Sequence, residues 1–80
     1  MLTCQQYDYI EIACMYRYPV RLTLKSATTI EGTAVDTCRN EQNQECIQLD
    51  INGKMEKVVL DELNVMEVLV ANPNFQSIYF

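Results

Sequence analysis

Pro19 divides this chain into two kinds of local order. Before it, Tyr7, Ile10 and Cys14, with Ala13 beside them, recur at helical spacing. After it, Val20, Leu22 and Leu24 alternate with Arg21, Thr23 and Lys25, the period of a half-buried strand. A proline also disfavours helical geometry in the residue before it, so a helix starting at Cys4 has to end near Tyr16 or Arg17. Its start is equally marked. Thr3-Cys4-Gln5-Gln6 has the pattern of a capping box, with the Thr3 hydroxyl serving an early amide and the Gln6 side chain reaching back.

The rest of the sequence reads as short strands and tight connections. Ser26-Ala27-Thr28 makes a turn, and Thr29–Cys38 is β-branched and small enough for a long second strand, in which Gly32 suggests a bend or bulge. Residues 39–44 contain no hydrophobic side chain and form a solvated loop, after which Ile47, Leu49 and Ile51 alternate in a third strand. Asn52-Gly53 is a strong hairpin signal, because both residues tolerate positive φ. A two-residue loop there sets Ile51 opposite Lys54. A three-residue loop with a bulge sets it opposite Met55, which matches the apolar pattern better. Val58, Val59 and Leu60 continue a fourth strand, Asp61–Asn64 suggests one helical turn, and Val65–Val70 reads as a strand covered on both faces. Asn72-Pro73-Asn74 ends it, and Phe75–Phe80 can add a terminal strand. This layout predicts a mainly β domain spanning residues 1–80 with one N-terminal helix. An Sm-like (SH3-like) barrel of five to six strands, the helix capping one end, matches the order best.

Composition excludes several function classes. The chain has 80 residues, enough for one core and little room for a deep substrate pocket. Lys and Arg number 6 against 11 Asp and Glu, a net charge of −5, the wrong sign for tracking phosphates. No apolar run approaches the ~20 residues of a membrane span, and no basic segment precedes an apolar stretch at the amino terminus. A soluble, cytoplasmic protein is expected. There is no histidine, so the commonest general base and the commonest metal ligand are both missing. The expectation is no enzyme, no catalytic residue, no metal and no cofactor. The four cysteines lack zinc-knuckle spacing. Cys4 and Cys14, if both helical, lie about 15 Å apart along the axis at ~1.5 Å per residue. Cys38 and Cys46 flank the polar loop and could face each other across a hairpin. All four read as reduced, buried, small hydrophobes, with Cys4 and Cys14 seating the helix.

The segment Cys4–Cys14 carries the functional signal. From Met1 to Tyr16 there is no Lys or Arg, and Asp8 and Glu11 lie three residues apart, on one helical face. Carboxylates near a helix N-terminus are also favoured by the macrodipole alone. An acidic, tyrosine-bearing surface suits a basic protein partner and does not suit nucleic acid.

Cys4, Tyr7, Asp8, Glu11, Ala13 and Cys14 together resemble the signature of the Rho-binding antiterminator family, Rof: Cys, two residues, Tyr-Asp, two residues, Glu, one residue, Ala-Cys. Length and strand order agree along nearly the whole chain. The resemblance implies an Sm-like barrel, monomeric when free, whose acidic surface docks on the N-terminal RNA-binding domain of the Rho hexamer. Docking there would compete with RNA for the primary sites and prevent termination. It assigns partner contact to Tyr7, Asp8 and Glu11, with Gln5, Gln6 and Arg39 beside them. Gln5 and Gln6 are neutral where family members often carry acid, and Ser26-Ala27-Thr28 replaces the usual Asp-Gly type of turn. The competing reading is an Sm-like RNA-binding protein acting as an oligomer, against which the negative charge speaks.

Overall fold

A computed structural model of the chain describes residues 2–80. Helix α1 spans Cys4–Met15 and begins with the capping box its sequence encodes. The Gln6 amide donates to the Thr3 hydroxyl at 3.2 Å, and the Thr3 amide donates to the Gln6 side-chain oxygen at 2.8 Å. At the other end Arg17 takes a left-handed φ of 54°. There the Tyr18 amide donates to the Ala13 carbonyl at 3.0 Å and the Arg17 amide to Cys14 at 3.2 Å. This pair of bonds is a Schellman cap, which turns the chain into the strand that Pro19 starts.

Six strands follow: β1 Pro19–Leu24, β2 Thr29–Arg39, β3 Glu45–Ile51, β4 Lys54–Val59, β5 Leu63–Val68 and β6 Ser77–Tyr79, with a single 3-10 turn at Leu60–Glu62. All pairings are antiparallel, in the order β4-β3-β2-β1-β5-β6. The sheet is open, since its edges β4 and β6 do not pair with each other, and the arrangement is compatible with a barrel-like Sm or SH3-like fold. Among the described residues no helix is long and apolar enough to cross a membrane.

The core forms where the inner face of the sheet meets α1. Ile10 and Ala13 are fully buried against Val20, Leu22, Ala34, Leu49 and Met66. Each large apolar side chain so removed from water contributes about 1.5–3 kcal/mol. The outer face is polar. Arg21 on β1 lies between Glu31 on β2 and Glu67 on β5, at 2.9 and 3.7 Å.

Several expectations need correction. The register break in β2 lies between Ala34 and Asp36, so Val35 is the bulged residue. Gly32 stays in register opposite Val20. A side chain at Gly32 would sit 2.9 Å from Ile51 Cγ1 and 3.0 Å from the Asp50 carbonyl, so glycine is required for close strand packing. The Asn52-Gly53 loop has two residues, with φ of 54° and 88°, and sets Ile51 opposite Lys54. Met55 is consequently turned outward and is 49 % exposed. The Asp50 carboxylate, accepting from the Gly53 amide at 2.7 Å, fixes the tight turn against the apolar pattern. Strand β5 starts at Leu63 and is buried at Leu63, Met66 and Val68 only, and Glu67, between the last two, pairs with Arg21 on the outer face. Leu69 and Val70 lie beyond it, exposed. Cys4 is exposed and does not seat the helix, since the buried stripe begins further along, at Ile10; Cys14 is buried as expected.

Candidate protein-binding site

Helix α1 packs along β2, and the seam between them brings the candidate residues together. Two open cavities lie on it. One, of about 320 Å³, is bordered by Tyr7, Thr37, Cys38, Arg39, Glu45 and Leu60. The other, of about 370 Å³, is bordered by Glu11, Cys14, Met15, Arg17, Val35, Asp36 and Thr37. Thr37 borders both, so the two cavities adjoin along the groove between α1 and β2.

Asp8 and Glu11 are both exposed on the outer side of α1. Among the described residues neither enters an ion pair. The helix has no basic residue in its last turn to offset them. Tyr7 is half-buried at the mouth of the first cavity, its ring held between packing and solvent. All three reach the surface, Asp8 and Glu11 as exposed residues and Tyr7 in part.

The other three predicted residues are engaged within the molecule. The Gln6 side-chain oxygen accepts from the Thr3 amide, and the Gln6 NH2 group donates to the Tyr79 carbonyl at 3.2 Å, linking α1 to β6. Gln5 is exposed and donates to the Tyr9 hydroxyl at 3.4 Å. Arg39 donates to the Asn43 carbonyl at 2.9 Å and pairs with Glu45 at 3.2 Å, so its guanidinium braces the β2–β3 hairpin. The second carboxylate oxygen of Glu45 is shielded and has no hydrogen-bond partner among the described residues.

Asp36 is a carboxylate that sequence reasoning missed. The bulge at Val35 turns it toward the groove, where it shares a cavity wall with Glu11. The Cys14 thiol reports this arrangement. Burial, chiefly, and then the charge of Asp36 push its pKa up to about 11, with Glu11 contributing in the same direction and Arg17 opposing. A carboxylate interrupting an otherwise uncharged stretch, Gly32–Cys38, was the available signal. The seam thus offers carboxylates, a tyrosine ring and the exposed Met15, with two arginines at its ends. Such a surface recognises cationic side chains by charge and by stacking. Among the described residues no three His, Cys, Asp or Glu side chains converge to hold a metal ion.

A small antiparallel sheet with an acidic helix packed across it places this chain among the small, mainly β regulatory proteins. The chain belongs to the ROF family, the modulators of Rho-dependent transcription termination, whose family model matches residues 1–80. A solved structure, YaeO bound to magnesium from Vibrio cholerae O395, superimposes with a TM-score of 0.89 at 47 % identity, covering 94 % of this chain and 97 % of that one. No curated protein matches the chain. The magnesium belongs to that structure, and among the described residues of this chain no such ligand set converges.

Proposed function

We propose that this chain inhibits the termination factor Rho by docking the α1 face on the N-terminal primary RNA-binding region of Rho, so that RNA cannot load and transcription reads through. Asp8 and Glu11 meet cationic groups that otherwise hold RNA phosphates, and Tyr7 packs at the edge of the same contact. Gln5 adds a polar rim contact. Gln6 and Arg39 act chiefly by holding the helix start and the hairpin in position. The observation that carries this reading is the pair of exposed carboxylates, without an ion pair among the described residues, on the helix of a family that modulates Rho-dependent termination.

The mechanism is competitive and involves no covalent chemistry. An acidic face is drawn to a phosphate-binding surface by the same field that attracts RNA. The fold acts as one 1–80 unit, free in the bacterial cytoplasm as a monomer. Strand β6 supports the monomer because it occupies the edge of β5 that an edge-paired ring would use. A net charge of −5 weighs against direct RNA binding and against the oligomeric RNA-binding alternative.

The test is binding of the chain to purified Rho with and without a single-stranded RNA competitor. Mutual displacement is expected, together with no retention of RNA by the chain alone. Simultaneous binding of RNA and this chain at the primary sites would overturn the mechanism.

A further inference from the structure

The β2–β3 hairpin sets Cys38 directly opposite Cys46, and both thiols are free. Residues paired across antiparallel strands share a face of the sheet, with Cα atoms about 4.5–5.5 Å apart. A disulfide requires Cα atoms about 4.4–6.8 Å apart. The register therefore places the two Cα atoms in the range that a disulfide spans. We propose that Cys38 and Cys46 are a reversible disulfide site, oxidised by a low-molecular-weight disulfide of the glutathione type.

The surroundings set the order of events. Cys46 is fully buried, its Sγ 3.5 Å from the Gln44 carbonyl, whereas Cys38 is half-buried. Burial and the proximity of Cys38 both push the Cys46 thiol up, so Cys46 reacts second. The Cys38 thiol loses its proton to solvent and its thiolate attacks one sulfur of the small disulfide. That S–S bond breaks, one small thiolate leaves, and a mixed disulfide forms on Cys38. Cys46 then loses its proton and attacks the Cys38 sulfur, forming the cross-strand bond and expelling the second small thiolate. Two protein thiols are oxidised and one small disulfide is reduced to two thiols, which take up the two protons released.

The other cysteines lack this arrangement. Cys4 is exposed with no cysteine paired to it, so its reaction stops at the mixed disulfide. Cys14 is buried against the core. Cys38 borders the first cavity beside Arg39 and Glu45, so the crosslink forms at the wall of that cavity. The inference is independent of the Rho reading.

The experiment treats the full chain, folded, with oxidised glutathione, quenches by alkylation in denaturant, and maps the cysteines by mass after digestion. Cys38 and Cys46 should leave the alkylatable pool together, giving a crosslinked peptide pair about 2 Da lighter than the two reduced peptides combined, and dithiothreitol should restore both. In Cys46→Ser the reaction should stop as a mixed disulfide on Cys38, and in Cys38→Ser residue Cys46 should stay reduced. The proposal is overturned if, in the unsubstituted chain, Cys38 accumulates as a stable glutathione adduct beside reduced Cys46. It is equally overturned if both stay reduced under conditions that convert Cys4.

Discussion

Reversing both helix carboxylates, Asp8→Lys with Glu11→Lys, separates a docking face from a solvated one by magnitude. Neither side chain has an ion pair within the described residues, so the folded chain loses no intramolecular partner. Each replacement changes the charge by two, and four added to −5 leaves −1. If both carboxylates are desolvated against cationic groups of Rho, removing one partner of each pair costs about 2–5 kcal/mol, and reversal adds repulsion. Two such losses exceed ~4 kcal/mol, a thousandfold or more in Kd at ~1.4 kcal/mol per tenfold. If the carboxylates stay at a wet rim, each contributes only ~0.2–1 kcal/mol, and the double variant binds within about thirtyfold of the parent. Affinity for purified Rho by calorimetry or fluorescence, with circular dichroism to confirm the fold, distinguishes the two. Binding of the parent should also weaken with salt, since screening sets in beyond about 10 Å near 0.1 M. The variant should lose its effect in a Rho-dependent termination assay. A folded double variant that binds Rho unchanged would remove this helix face from the interface and refute the reasoning.

Three further outcomes are expected from the fold itself. Arg17→Gly should stabilise the chain by about 0.5–1 kcal/mol, because position 17 sits at φ 54° in the helix cap, and a urea melt reads the change. Gly32→Ala should destabilise it by about 1–3 kcal/mol, since the new methyl would lie 3.0 Å from the Asp50 carbonyl; a midpoint equal to the parent's would contradict the packing described. The Cys14 thiol is raised in the folded state from 9.0 to about 11, so the unfolded chain gives up this proton first as pH rises. Its contribution is thus complete below about pH 9 and is lost as pH rises through about 11. Urea midpoints of the parent should fall across that window more steeply than those of Cys14→Ala.

The parts of the fold that could be read in advance are those set by local chemistry. Thr3 and Gln6 mark the helix start because a capping box needs only neighbours in sequence, and Pro19 marks its end for the same reason. Alternation at Val20, Leu22, Leu49 and Ile51 located strands because one face of the sheet is wet. The misreadings arose where a non-local contact decides the outcome. Met55 faces outward because Asp50 fastens a two-residue turn. Gly32 is a packing requirement of β3 and not a bend, and only the register across strands reveals it. The apolar run after Leu63 looked doubly covered, yet Arg21 from another strand holds Glu67 on the outer face.

The site divides along the same line. Asp8 and Glu11 were visible because helical spacing alone puts residues three apart on one face. Asp36 was not, because its place depends on the bulge at Val35 and on α1 crossing β2 beside it. That bulge is the element joining fold to function. Strand β2 changes register at Val35, and beyond that point Asp36 and Thr37 border the groove that Glu11 and Tyr7 border from the helix. A partner gripping the helix carboxylates therefore meets a third carboxylate held by the sheet. Because strand and helix are packed together through Ala13 and Ala34, both fully buried, the spacing among these charges is held by the core and not by loops. A rigid set of like charges gives up little freedom on binding, and this suits the proposed displacement of a flexible polyanion from Rho.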